Sequence, residues 1–184
     1  MEKLSKAELL NEDTFWDIIN KSLDDFTNIK NQLEKIKNQL IKLTDTEIIG
    51  FDYIKVKLLW QAYNSSLWAV NYTVTGCFCD DEFVDFRLWL ITRGEETYYN
   101  ALENPDSLVD EFDKIPLGGM PLCEELLSIE ALAFKEKNNK DFYVEEEKYY
   151  SNIKIPELKI NWDEKSIKKI IPNTYNEWNA NDRF

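Results

Sequence analysis

The chain has 184 residues, of which 43% are hydrophobic, and a formal net charge of −13 at pH 7. This length allows one domain with a proper core, and the hydrophobic content excludes a disordered chain. The negative charge argues against nucleic-acid binding, which favours a basic surface. Because the chain has no histidine, Ser-His-Asp catalysis, Cys-His catalysis and histidine-containing zinc sites are excluded.

Three helices are predicted after a loosely held lead-in over residues 1–11. The first follows Asn11–Thr14, which supplies cap residues. A longer amphipathic helix starts at Asp24 or Asp25 and packs on a core rather than in a coiled-coil dimer, since fewer than three heptads are present. Thr44–Glu47 fits the capping box at the start of a third helix.

The stretch from Gly76 to Gly94 predicts the helix around which the fold is organised. A short apolar helix precedes it and ends at Gly76. Residues 81–93 have apolar side chains around nearly the whole circumference, which is typical of an enclosed helix. Asp80 is the expected N-cap, and Gly94 the left-handed residue after the helix. Arg87 falls on an apolar side, so we expect it to need a carboxylate partner.

The remaining elements are shorter. A helix over Glu95–Glu103 ends at Asn104–Pro105, because the residue before a proline avoids the helical conformation. Pro116–Pro121 predicts a loop, and Pro121 suits the first position of the next helix. Beyond residue 141 the pattern is weaker, with one short last helix that ends at Pro172.

These elements predict an all-α fold, a helical bundle of about seven helices around a buried central helix with an irregular C-terminal tail. The expected organisation is one domain over residues 12–178, with a tail over 179–184. No stretch approaches the roughly 20 apolar residues of a membrane span, and the first residues lack the apolar region of a signal peptide. We therefore expect a cytoplasmic protein without membrane contacts.

Three cysteines bear on the compartment and on metal binding. Cys77, Cys79 and Cys123 cannot all pair, which fits a reducing cytoplasm. The one-residue spacer between Cys77 and Cys79 is too short for the usual CxxC metal and redox patterns. We expect packing thiols, no metal and no cofactor.

The negative charge is concentrated in one segment, with 19 acids and 6 bases from Asp80 to Glu147. A solvated surface explains such a segment, and so does steering toward a basic partner. The concrete hypothesis is a non-enzymatic interaction protein, such as an immunity protein that neutralises a basic toxin. The candidate partner-binding residues are Glu95, Glu96, Glu103, Asp110, Glu111, Asp113, Glu145, Glu146 and Glu147.

An alternative is a small-molecule or metal-binding protein, with or without enzymatic activity. Its site would use the carboxylates between Asp80 and Asp85, either as acid and base or as ligands of a hard cation. Arg87 or Arg93 would clamp an anionic group. We favour a structural role for these carboxylates, because acids are favourable at a helix N-terminus.

The motif around the central helix resembles a known bacterial family, domain-of-unknown-function family 4240. The flanks agree, with Phe15–Trp16 near its opening, Asn104–Leu108 in its middle and Pro172 with Trp178 near its end. The resemblance implies a small, mostly helical bacterial domain over about residues 12–178, and it supplies no catalytic residues. The structural motif residues that carry it are Gly76, Asp80, Asp81, Phe83, Phe86, Arg87, Trp89 and Gly94.

Overall fold

The computed structural model describes residues 4–116 and 118–178. The predicted tail over residues 179–184 therefore lies outside the described residues. The predicted all-α class is confirmed, since the described residues form eleven α-helices and two strands of two residues each. Seven of these helices have nine or more residues, in agreement with the expected number. None of the described helices has the length and apolar character needed to cross a membrane.

Most of the helices follow one another through short connections, and the longest irregular stretch among the described residues covers residues 151–163. Short 3-10 segments cover Lys6–Glu8, Pro105–Leu108 and Glu124–Ser128. Strand β1 (Leu4–Ser5) pairs in parallel with β2 (Tyr149–Tyr150). The helices are α1 (Glu12–Ser22), α2 (Ile29–Leu40), α3 (Asp45–Gln61), α4 (Ser65–Thr75), α5 (Asp80–Thr92), α6 (Glu95–Glu103), α7 (Val109–Phe112), α8 (Ile129–Asn138), α9 (Phe142–Glu146), α10 (Ile167–Ile170) and α11 (Pro172–Trp178).

The predicted start signals of α1 and α3 are confirmed. Asn11 Oδ1 accepts a hydrogen bond from Thr14 N at 2.7 Å, which satisfies one of the unpaired donors of the first turn. At α3, Thr44 N donates to Glu47 Oε2 at 2.7 Å and Glu47 N donates to Thr44 Oγ1 at 3.3 Å. This reciprocal pair is the capping box that the sequence predicts.

Two predicted helix starts are wrong. Helix α2 begins at Ile29 with Asn28 as its N-cap, because Asp25 has a φ of 50° and interrupts a helical path. Pro121 does not open a helix, since Leu122 N donates to Met120 O and Cys123 N donates to Asp85 O. Both bonds differ from the helical pattern, and the next α-helix, α8, begins eight residues after Pro121.

The chain forms two compact units, one from residues 1–58 and 125–155 and the other from residues 59–124 and 156–184. In the first unit, α2 contacts α1 and α8, and α8 contacts α9. Phe15 of α1 packs against Phe51 of α3 with ring centroids 4.5 Å apart. A second group in its core consists of Ile48, Ile49, Phe134 and Phe142.

A buried ion pair connects α3 to α8 within the first unit. Lys55 is 1% exposed, and its Nζ lies 2.7 Å from Glu130 Oε2 and 3.4 Å from Asp52 Oδ1. The same amine donates to the carbonyl of Leu127 at 2.6 Å. Burial is the largest influence on the pKa of Lys55 and lowers it, but the attraction of Glu130 and Asp52 outweighs burial and leaves the pKa raised.

Gly50 allows the chain before α1 to lie directly against α3. A Cβ at this position would lie 2.6 Å from Leu10 Cβ and 2.7 Å from Leu10 N, closer than real side chains approach. Glycine is otherwise unfavourable inside a helix, by roughly 0.5–1 kcal/mol relative to alanine. The close contact therefore explains why α3 contains glycine here.

We expect Gly50→Ala to lower the free energy of unfolding by about 1–3 kcal/mol, because the backbone of Leu10 has to move to admit the methyl group. Urea unfolding measures this change. Asn38→Ala, on the exposed side of α2, is the matched control and should shift stability by only about 0.5 kcal/mol. A Gly50→Ala protein as stable as the wild type would show that the contact is not tight.

In the second unit, the predicted buried helix is confirmed as α5. Phe83, Phe86, Leu88, Leu90 and Ile91 are fully buried on it. Helices α4 and α6 both contact α5. The periodicity predicts residues 81–93, and the structure has Asp80–Thr92, so the bounds differ by one residue at each end.

Asp106 links the two chain segments of the second unit. It lies inside the 3-10 segment Pro105–Leu108 and caps α11. Its carboxylate accepts from Asn173 N at 3.0 Å and from Thr174 N at 2.8 Å. Asp106 is only 6% exposed, so these two donors satisfy a carboxylate that is otherwise buried.

Candidate functional site

The connection between α4 and α5 shapes the region with the most chemically active side chains. Gly76 ends α4 with a φ of 77°, and its N–H donates to Tyr72 O at 2.9 Å, as expected for a left-handed C-cap. Cys79 is the N-cap of α5, and its side chain forms no capping hydrogen bond. The prediction of Asp80 as N-cap is therefore wrong by one residue, because Asp80 is already the first helical residue.

Cys77 and Cys79 form a disulfide bond across Phe78. The prediction that all three cysteines are packing thiols is wrong for this pair, and it is correct for Cys123, which is buried and forms no disulfide. Both bonded cysteines are half-buried. Their Cα atoms lie 5.6 Å apart, within the range that a disulfide spans.

Arg87 is enclosed by carbonyl groups and aromatic rings. It is 3% exposed, and its Nη1 donates to Leu59 O at 2.6 Å while its Nε donates to Phe83 O at 3.0 Å. Its guanidinium carbon lies 4.8 Å from the ring centre of Tyr63 and 4.6 Å from that of Phe83. These ring faces attract the cation through their quadrupoles.

The prediction that Arg87 has a carboxylate partner is wrong, since no carboxylate among the described residues forms an ion pair with it. Leu59 lies in the last turn of α3, where carbonyls have no intrahelical donor and the helix dipole is negative. Burial lowers the pKa of Arg87 to about 10, although Tyr63 and Asp80 oppose this shift. Asp80 affects Arg87 indirectly, because its Oδ1 accepts a hydrogen bond from the Tyr63 hydroxyl at 3.4 Å. The guanidinium thus binds the end of α3.

The carboxylates and arginines of the alternative hypothesis lie in different environments. Asp80 and Asp81 are exposed, whereas Arg87 is enclosed. Arg93 is half-buried over the ring of Trp89, at 5.8 Å from its centre, and burial lowers the pKa of Arg93. Arg87 has two of its donor groups committed to carbonyls, which leaves it poorly placed to clamp a ligand from solvent.

The remaining motif residues have structural positions. Phe83, Phe86 and Trp89 are buried on α5. Gly94 follows α5 with a φ of 93° and a ψ of 168°, so it has the predicted positive φ but not the predicted left-handed helical geometry. Glycine is required there because side chains rarely adopt this conformation.

The candidate partner-binding acids fall into two groups. Six lie in the second unit on α6, α7 and the residue after it, and Glu145, Glu146 and Glu147 lie in the first unit. Helices α6 and α7 both contact the 3-10 segment between them, and we call the six acids on this part of the chain the α6–α7 acidic surface. It comprises Glu95, Glu96, Glu103, Asp110, Glu111 and Asp113.

The two groups differ in how far their charges are already paired. Glu145 pairs with Lys148, and Glu146 pairs with Lys6. On the α6–α7 acidic surface, Glu111 pairs with Lys114, whereas Glu96, Glu103 and Asp110 are exposed and form no ion pair with any described residue. Their charges therefore face solvent uncompensated.

Two chemically active pairs were missed by the sequence reasoning. Lys55 lies among apolar residues of α3, a signal that a partner such as Glu130 was needed. For Cys77 and Cys79 the signal was their one-residue spacing, which keeps the two Cα atoms within the range that a disulfide spans. Neither pair belongs to a known motif.

Comparison with protein-family models matches residues 10–136 to a family described as a protein of unknown function, DUF4240. The match covers more than half of the chain and extends from before α1 into α8. The comparisons with curated proteins and with solved structures gave no match.

Proposed function

Because the chain belongs to DUF4240, a family of unknown function, we propose a function on the basis of the charged residues on its own surface. The protein is a non-enzymatic interaction protein that presents the α6–α7 acidic surface to a basic protein partner. An immunity protein that neutralises a basic toxin in the cytoplasm is the concrete form of this proposal.

The observation that carries the proposal is the group of unpaired acids on the α6–α7 acidic surface. From residue 59 to residue 124 the chain has 12 acids and 3 bases. Two of these bases are Arg87 and Arg93, which are largely withdrawn from solvent. Acids that lie close together without counter-charges repel one another, and binding of a basic partner relieves this repulsion. Electrostatic attraction to the same acids also accelerates the association of such a partner.

Neutralising this surface should remove partner binding without unfolding the protein. The test variant combines Glu96→Gln, Glu103→Gln and Asp110→Asn, all at exposed positions. We expect it to recover at least about 10-fold less of a basic protein from an extract of the native organism than the wild type does. Quantitative affinity capture, with the captured partner identified by mass spectrometry, measures this difference.

The matched control removes three exposed acids elsewhere, with Asp13→Asn, Asp24→Asn and Glu125→Gln. It changes the net charge by the same amount as the test variant does. It should therefore bind the partner like the wild type if binding depends on the position of the acids rather than on the net charge. The association rate with the captured partner should also fall about 10-fold or more between about 0.05 M and 0.5 M salt. Equal loss of binding in both triple variants, or an association rate independent of salt, would refute the proposal.

A further inference from the structure

We propose that Cys77, Cys79 and Glu82 form a zinc site that becomes available when the disulfide is reduced. In the oxidised protein the two sulfurs are bonded to each other. In the reduced protein the two thiolates and the Glu82 carboxylate bind one Zn²⁺, and water occupies the fourth position. This inference is independent of the acidic surface proposed above.

The backbone brings the three ligand groups together. Cys79 is the N-cap of α5 and Glu82 lies three residues later, so both side chains lie on the same face of the first turn. Cys77 lies beside them because its sulfur is bonded to that of Cys79. The two sulfurs and a Glu82 carboxylate oxygen all lie within 4.8 Å of one another, and two thiolates around a tetrahedral zinc ion are about 3.8 Å apart.

Glu82 provides an independent indication of a bound cation. A glutamate three residues after the N-cap ordinarily accepts from the N-cap backbone N–H. Here Glu82 Oε1 is buried and has no hydrogen-bond partner among the described residues. A buried carboxylate oxygen without a partner is costly, and a metal ion at the sulfur pair would satisfy it.

The local charges favour a cation. Between Gly76 and Phe86 the chain contains no lysine or arginine, and Asp80 and Asp81 stand exposed beside the three ligands. A positive ion held by the two sulfurs and Glu82 would offset these negative charges.

The ligand set selects the metal. Two thiolates and one carboxylate suit Zn²⁺, a borderline-soft ion that binds both sulfur and oxygen, and three protein ligands leave the fourth position open. The redox step requires a dithiol reductant, which donates two electrons and two protons to the S–S bond and itself becomes a disulfide. The two resulting thiols then release their protons to water as Zn²⁺ binds.

The experiment titrates Zn²⁺ into two samples of the full chain, one reduced and one oxidised. The reduced sample is prepared with a phosphine, which is removed before the titration. Isothermal titration calorimetry should show one Zn²⁺ per reduced chain and affinity at least about 100-fold weaker after oxidation. Cys77→Ser and Cys79→Ser should each weaken binding at least about 100-fold, and Glu82→Gln about 10- to 100-fold. In a parallel titration, Co²⁺ should give thiolate charge-transfer absorption only with the reduced wild type.

Cys123→Ser is the matched control, because Cys123 is buried and belongs neither to the disulfide nor to the group of three ligands. It should bind Zn²⁺ as the wild type does. Cys79→Ser places a favoured N-cap residue at the start of α5, so we expect this variant to stay folded. Its thermal midpoint without metal should match that of the wild type, and its loss of Zn²⁺ binding is then not caused by unfolding. Equal Zn²⁺ affinity in the oxidised and reduced chains, or no loss in Cys79→Ser, would overturn the proposal.

Discussion

Lys55→Met is expected to lower the free energy of unfolding by about 3–5 kcal/mol. Methionine has a similar volume, so the change removes the amine without opening a large cavity. It leaves Glu130, which is 2% exposed, without its cation and also removes the donor to Leu127 O. Breaking a buried pair from one side leaves an uncompensated charge, which is the reason for the large loss. Urea unfolding monitored by tryptophan fluorescence measures it.

The pH dependence of this loss identifies its cause. Burial raises the pKa of Glu130 from 4.5 to about 7, with Lys55 opposing the shift. An acid whose pKa is raised on folding stabilises the folded state at low pH, and this contribution is lost as the pH rises through about 7. Without Lys55 the carboxyl group is harder still to ionise, so the penalty of Lys55→Met should be larger at pH 8 than at pH 5.

Two further variants separate the ion pair from other causes. Lys57→Met removes an exposed cation that lies 2.7 Å from Glu12, and it should cost less than about 1 kcal/mol. The double variant Lys55→Met with Glu130→Leu should recover most of the lost stability, because no buried charge then remains unpaired in this pair. A single variant that unfolds like the wild type at pH 8 would contradict the role assigned to Lys55.

Arg87→Met is expected to lower the free energy of unfolding by about 2–4 kcal/mol. The change leaves the carbonyl of Leu59 without the donor 2.6 Å away, at a place that water does not reach. It also removes the cation that contacts the rings of Tyr63 and Phe83. Each of these losses alone is worth about 1–2 kcal/mol.

Arg87→Lys is the informative comparison for this position. Lysine keeps the positive charge but lacks the planar group that contacts the two rings and donates along fixed directions. It should therefore recover only part of the lost stability in the same urea titration. If Arg87→Met were as stable as the wild type, the guanidinium would be replaceable by apolar packing and would not serve as the cap of α3.

The parts of this fold that depend on neighbouring residues were predictable from the sequence. The capping box before α3 follows from residues three apart, and the extent of α5 follows from its nearly continuous apolar surface. The start of α2 was not predictable in this way, since Asp24, Asp25 and Asn28 are all acceptable N-caps. The backbone at Asp25 decides between them.

The contacts that determine the candidate sites join residues far apart in sequence. Arg87 has a carbonyl partner because α3 happens to end beside α5, and periodicity carries no information on where another helix ends. Lys55 and Glu130 are 75 positions apart. The exposure of Glu96 and Glu103 follows from amphipathicity, but whether their charges are paired depends on which lysines the fold brings near.

The carboxylate of Asp106 has a consequence for how much of the chain is needed to fold. Its acceptors are filled by N–H groups at positions 173 and 174, well beyond the end of the family match at residue 136. A polypeptide that ended at residue 136 would lack both donors and would leave the Asp106 carboxylate enclosed without a hydrogen-bond partner from that segment. Relatives with an acid at this position and a shorter C-terminus would therefore have to supply two amide donors from some other segment.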